Sequence, residues 1–196
     1  MPRYRATARC EAACAFLCYG SRAIAYRLNK AGKTDEWIAQ WDQRIADSKT
    51  AVETMVGDGT VSSLSPYVKG IYAFGHNYGR GGEILYGEFK LQAPPIIQQE
   101  AIGSSTGWAS LSLEKLPELT ADYLFVTAGG SISLESEFQK ALDVVTGVEK
   151  LQVWQVVPAV KQDHVYKISA RHWMLSGPIA DSMKIDDVAA TVTGNQ

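Results

Sequence analysis

An α/β fold is what this sequence predicts, on three observations. Short β-rich runs alternate with helical stretches from Thr60 onward, a long amphipathic helix precedes them, and no repeat, low-complexity tract or linker interrupts the chain after Gly57. Alternation at this spacing implies βαβ units. The expected architecture is therefore a Rossmann-like, layered and mostly parallel sheet flanked by helices and preceded by a long helix.

The elements follow in order. From Thr34 the chain reads TDEWIAQWDQRIADSKTAVETMV, in which Trp37, Ile38, Trp41, Ile45, Val52 and Met55 recur at helical spacing, with Thr34 as N-cap and acids in the first turn. Gly57-Asp58-Gly59 ends this helix. Strands are expected at 60–64 and 70–75, a helix at 82–89 and a strand at 108–111. A short helix capped by Ser112 covers 113–119, and a buried strand 123–127. Helices at 134–145 and 148–156, a strand at 165–169 and a closing helix at 179–192 complete the chain.

Composition narrows the function. The 196 residues are 46% hydrophobic and 20% charged, with 19 basic and 21 acidic side chains and a formal charge of −2, enough apolar material for a real core and no basic excess to neutralise nucleic-acid phosphates. Residues 1–30 differ, carrying six Arg or Lys against the single acid Glu11 and all three cysteines. Cys10, Cys14 and Cys18 would line one helical stripe, a spacing that suits neither a disulfide framework nor a zinc site. Arg3, Arg5 and Arg9 followed by an apolar run to Tyr19 resemble an export signal superficially, but Glu11 and the cysteines interrupt it and no A-x-A site follows.

The passage GIYAFGHNYGRGGEILYGEF, residues 70–89, sets glycines and aromatics around one arginine at a strand-to-helix junction, where open α/β sheets bind ligands. Gly79, Gly81 and Gly82 would let backbone approach a ligand closely, and the N-terminus of the following helix would favour an anionic group. The spacing is neither G-x-G-x-x-G nor G-K-[ST], so nucleotide binding gains little from it. Arg80, with Tyr72 and Tyr78, could grip a flat, oxygen-rich ligand through its planar fork and two phenols; an exposed arginine on a glycine turn is the alternative. His76, His164 and His172 are scattered with no nucleophile elbow nearby, Ser104-Ser105-Thr106-Gly107 reads as a loop, and Asp186-Asp187 read as solvated acids on different helix faces. No constellation points to an enzyme.

Taken together, EWIAQWDQRI, GIYAFGHNYGRGGEILY, LQAPP, GWASLSLEKLPELTADYLFV, VWQVVPAVKQDHVYKIS and RHWMLSGPIA resemble the C-terminal lobe of the iron-siderophore substrate-binding proteins of ABC transporters, in the ferric hydroxamate branch. They span roughly residues 24–192 in the family's order, and N-Y-G-R-G-G-E-[IL]-L-Y is the most specific. The resemblance implies one half of a class III substrate-binding protein: 1–23 as an atypical, helical N-terminal segment, 24–57 as the helix linking two lobes, and 58–196 as the C-terminal α/β lobe. Family members hold the ferric complex between two lobes, and the resemblance begins only at the linking helix.

Position by position, Arg80 matches the arginine that bonds the hydroxamate oxygens, and Tyr72 and Trp173 match aromatics lining the cleft. Tyr78 falls where many relatives carry tryptophan, and Glu114 matches the surface glutamate that docks on arginines of the permease. The ligand implied is a ferric siderophore carrying its own iron, with no cofactor and no protein-bound metal. The partners implied are that siderophore, an ABC permease, and either a second copy of the chain or a separate N-terminal lobe to rebuild the cleft. An uncovered apolar stripe around Ala13–Leu28 adds to the expectation of a homodimer. The family works outside the cytoplasmic membrane, in the periplasm or as a cell-surface lipoprotein, whereas this chain carries no clear export signal. A truncated, non-functional remnant of such a protein, or a cytosolic α/β enzyme, are the other readings the residues leave open.

Overall fold

The computed structural model describes Leu28 and residues 31–128 and 135–194. The cysteine-bearing segment 1–23 and the first residue of the helix expected at 134–145 lie outside the described residues, and of the apolar stripe around Ala13–Leu28 only Leu28 is described, 65% exposed.

A 26-residue helix, α1 (Ala31–Val56), opens the fold. It begins a turn ahead of Thr34, which lies inside the helix and is not its cap; nothing in Ala31-Gly32-Lys33 blocks helical geometry. Trp41, Val52 and Val56 enter the core from its apolar stripe. Gly57 stops it as expected, taking φ 54° while its N–H bonds to Glu53 O at 2.8 Å, a left-handed C-terminal cap.

The sheet has five strands, β1 (Val61–Tyr67), β2 (Gly70–Phe74), β3 (Trp108–Ser112), β4 (Tyr123–Thr127) and β5 (Val165–Ile168), in the order β3-β2-β1-β4-β5. The α/β class and the flanking helices are as expected, but the sheet is mixed. β1 is parallel to β4 and β4 to β5, whereas β1-β2 and β2-β3 are antiparallel. The reason is the two-residue link Val68-Lys69, which leaves no room for a crossover and folds β1 and β2 into a hairpin with Tyr67 opposite Gly70. β1 also runs three residues past the expected 60–64. Its pairing with β4 ends at Leu64, so Pro66, which has no N–H, removes nothing from that ladder.

β4, flanked on both sides, is the continuous apolar run YLFVT expected of a strand covered on both faces. Helix α2 (Glu135–Glu149) packs on β1 and continues through Gly147, so the expected helices 134–145 and 148–156 are one helix plus a short turn at Gln152–Gln155. Helix α3 (Pro178–Thr193) packs on α1 and against the six-residue π-helix Glu83–Glu88, which stands where a helix was expected at 82–89. Ser112 occupies the position before the 3-10 turn Leu113–Glu118, but its hydroxyl makes no capping bond. One core joins all of these elements, with Trp154, Trp173, Phe89 and Phe125 among its largest fully buried side chains. Among the described residues no helix is long and apolar enough to cross a membrane.

Candidate functional site

Register places the site's aromatics. Ser65 lies opposite Tyr72, Tyr72 opposite Ser110, and Phe74 opposite Trp108, so these side chains share one face of the antiparallel half of the sheet, while Leu64, Ile71, Ala73 and Leu111 point to the other and are buried. Tyr67 closes this face, stacked on Tyr72 with centroids 4.3 Å apart and its hydroxyl 2.6 Å from Ser110 Oγ. Trp108 meets Tyr72 edge-on at 5.6 Å, and Tyr78 stacks on Phe74 at 5.6 Å. With Ala141 and Val144 of α2 and Met174, these residues line a cavity of about 510 Å³.

Among the described residues Arg80 is the only charged side chain in that lining. Its guanidinium lies over the Phe74 ring, 5.5 Å from the centroid, a cation–π contact. Its backbone has φ 58°, in the left-handed region, between Gly79 at 91° and Gly81 at 89°. For a non-glycine residue this conformation costs about 1–2 kcal/mol and persists only where the surroundings enforce it. Here Ser63 Oγ donates to Arg80 O at 2.7 Å, Gly82 N–H to Gly79 O at 3.1 Å, and Gly75 N–H to Gly107 O at 2.8 Å.

The glycines of this turn serve protein packing instead of ligand approach. A Cβ on Gly81 would stand 2.0 Å from the Trp173 ring, and one on Gly82 would stand 2.2 Å from Gly75 O. Nor does the turn offer a helix N-terminus to an anion. The element that follows is six residues of π-helix, and its first residue, Glu83, carries a carboxylate that pairs with Lys184. Burial pushes the Glu83 carboxyl above its ordinary value, against the pull of that ammonium.

Of the residues singled out from sequence, Tyr72, Tyr78 and Arg80 come together around the cavity. Trp173 does not. It is fully buried beneath the Arg80 turn, stacked on Phe125 at 5.5 Å, and its Nε1 donates to Asp187 Oδ2 at 2.6 Å. Its contribution is to shape the turn from below. Glu114 is exposed on the 3-10 turn after β3 and is not part of the cavity lining.

Asp187 also departs from expectation. It accepts from Trp173 and lies 2.6 Å from His172 Nε2, so it is engaged in the core's edge, while Asp186 pairs with Arg44 at 3.3 Å on the surface. His164 stacks on Tyr123, at another place in the fold. Among the described residues no cluster of three His, Cys, Asp or Glu could hold a metal. Sequence reasoning missed Tyr67, Phe74 and Trp108; the signal for Phe74 was its two-residue spacing from Tyr72, which sets both on one strand face.

The site is thus an open cavity with an aromatic wall and one arginine, carried on an α/β lobe. The chain belongs to the periplasmic binding protein family, whose model matches residues 20–172; the family comprises substrate-binding proteins of ABC transporters, not enzymes. It is 34% identical over 164 residues to the iron(3+)-hydroxamate-binding protein FhuD of Bacillus subtilis (strain 168), covering 82% of this chain and 48% of that one. With the iron(3+)-hydroxamate-binding protein YxeB of the same organism it shares 29% over 161 residues, 80% of this chain and 48% of that one. The chain thus spans about half the length of the curated relatives it matches.

Among solved structures, the periplasmic binding protein component of a Fep/Fec-like ferrichrome ABC transporter from Bacillus subtilis superposes with a TM-score of 0.77 at 31% identity, over 90% of this chain and 61% of that one. FhuD2 from Staphylococcus aureus with bound ferrioxamine B shares the fold at a TM-score of 0.74 and 23% identity, over 91% of this chain and 65% of that one.

Proposed function

We propose that this chain supplies one wall of a siderophore-binding cleft for ABC-transporter iron uptake, and that its ligand is a ferric hydroxamate. The observation that carries the proposal is Arg80, held in a left-handed backbone as the lone cation that the described residues bring to an aromatic cavity. A ferric hydroxamate presents iron-bound oxygens of partial negative charge on a compact, otherwise apolar body. The guanidinium fork donates paired hydrogen bonds to two such oxygens, and Tyr72, Tyr78 and Trp108 contact the ligand's backbone. No covalent step is involved, and the iron travels with the ligand. The named hydroxamate-binding relatives support this reading.

Within it, the helix assigned to 24–57 links two lobes and 58–196 is the C-terminal one. A second copy of the chain or a separate N-terminal lobe provides the opposite wall, Glu114 docks on permease arginines, and the protein works outside the cytoplasmic membrane. Trp173 has no direct ligand contact and acts by supporting the Arg80 turn.

Titration with ferrichrome and ferrioxamine B, followed by tryptophan fluorescence, tests the proposal, because Trp108 lies in the cavity. Saturable quenching is expected. Arg80→Ala, which removes charge-assisted bonds of about 1.5–3 kcal/mol, should weaken it by about tenfold to a hundredfold. Absence of quenching with both complexes from a folded sample would refute the ligand class. Light scattering on the same sample reads whether two chains pair.

A further inference from the structure

We infer that Lys184 is a positioning residue for Arg80, acting through Glu83 to hold the arginine's strained turn in its binding conformation. The inference rests on the proposed role of Arg80 at the ligand. Lys184, on α3, is fully buried, and all three of its ammonium protons have acceptors: Glu83 Oε1, Asp181 Oδ1 at 2.9 Å and Leu175 O at 2.6 Å. Asp181 in turn accepts from Gly177 N–H at 3.0 Å through its other oxygen.

Stability alone does not account for such a group. Two carboxylates and one ammonium removed from water are as a rule no better than apolar side chains of the same volume. What an ionic anchor supplies that an apolar one cannot is a fixed direction for one particular residue. Here that residue is Glu83, separated from Arg80 only by Gly81 and Gly82, which have no side chains of their own to hold the turn. Residues 79–81 all have positive φ; the two glycines take it freely, but for Arg80 it is strained, so the turn needs to be held on both arms. Ser63 Oγ holds Arg80 O on one side, and Lys184 holds Glu83 on the other. Leu175 O, its third acceptor, follows directly on Met174, a residue of the cavity lining, so the same ammonium bonds to the two segments that carry Arg80 and Met174.

A purely structural role would act on the whole fold, whereas positioning acts on the turn. The test uses the full chain with Glu83→Gln and the triple variant Glu83→Gln/Asp181→Asn/Lys184→Met, which leaves neither carboxylate buried without its cation. Hydrogen exchange reads the amides of Gly82, Ile84 and Leu85, which bond to Gly79 O and Gly81 O, against that of Leu124, which bonds to His164 O in the sheet. Expected is exchange about tenfold faster across 79–86 with the Leu124 region unchanged. Ferrioxamine B should bind about tenfold more weakly to the triple variant, and the same changes in an Arg80→Ala background should cost nothing further. Uniform acceleration across the sheet, or no change at 79–86, overturns the inference. If the parent chain does not bind ferrioxamine B at all, the hydroxamate reading fails while the exchange comparison still decides the role of Lys184.

Discussion

Gly81→Ala should be among the most damaging single-methyl additions available in this protein. The new Cβ would stand 2.0 Å from Trp173 Cζ3 and 2.2 Å from its Cε3. The ring has nowhere to retreat, being fully buried, stacked on Phe125 and tethered through Nε1 to Asp187 at 2.6 Å. Overpacking of this kind costs about 1–3 kcal/mol. Residue 81 also has φ 89°, where a side chain adds about 1–2 kcal/mol. A loss of about 3 kcal/mol follows, which for a chain of this length lowers Tm by about 10 °C. Gly147→Ala is the control: it lies in α2 with nothing within 4 Å of the added methyl, and relief of glycine's backbone entropy should stabilise it by about 0.5–1 kcal/mol. Thermal unfolding followed by circular dichroism compares the two. A Gly81→Ala protein melting within about 2 °C of the parent would refute the tight packing of the turn on Trp173.

Three further outcomes follow from the same geometry. Arg80→Gly relieves left-handed strain but loses the cation–π contact with Phe74, opposing effects of about 1 kcal/mol each, so urea unfolding should change by less than about 1 kcal/mol while hydroxamate binding falls more than about tenfold. Tyr86→Phe removes a buried hydroxyl that donates to Val61 O at 3.0 Å and should cost about 1 kcal/mol by the same assay. Burial, assisted by the field of Asp42, raises the Glu88 carboxyl above its ordinary 4.5, so the folded state holds that proton more tightly than the unfolded chain. The stability this contributes is complete below 4.5 and is lost as pH rises through the raised value. Glu88→Gln should therefore be more stable than the parent at pH 8, with the difference disappearing toward pH 4; a constant difference across that range would contradict the burial assignment.

Most elements of the fold could be read from hydrophobic periodicity, because long patterns such as Trp37–Met55 and runs such as YLFVT carry their own signal. The hairpin between β1 and β2 carried none. Neither Val68 nor Lys69 takes a positive φ, so the turn has no Asn-Gly or Asp-Gly signature, and a parallel arrangement was the natural expectation. The site was half legible. Arg80 and its tyrosines stood out by composition, but Trp108 reaches the cavity through cross-strand register with Phe74, which no local window contains. Trp173, placed at the cleft by resemblance, lies buried beneath the Arg80 turn and outside the cavity lining, a depth that its sequence neighbours do not reveal. The Lys184 anchor joins residues about a hundred positions apart and leaves no trace in local sequence.

The Gly79–Gly82 turn has one more consequence, for the thermodynamics of capture. Its backbone is fixed by neighbours on several sides and the guanidinium already rests on Phe74, so the arginine is ordered before any ligand arrives. In the proposed cleft little conformational entropy would remain to be lost at this contact, and the wall would act as a stationary template for the ligand and for whatever forms the opposite side. On that proposal, adaptation to differently shaped ligands would fall to the exposed ring of Tyr78 and to that opposite side, with the arginine as the fixed reference point of recognition.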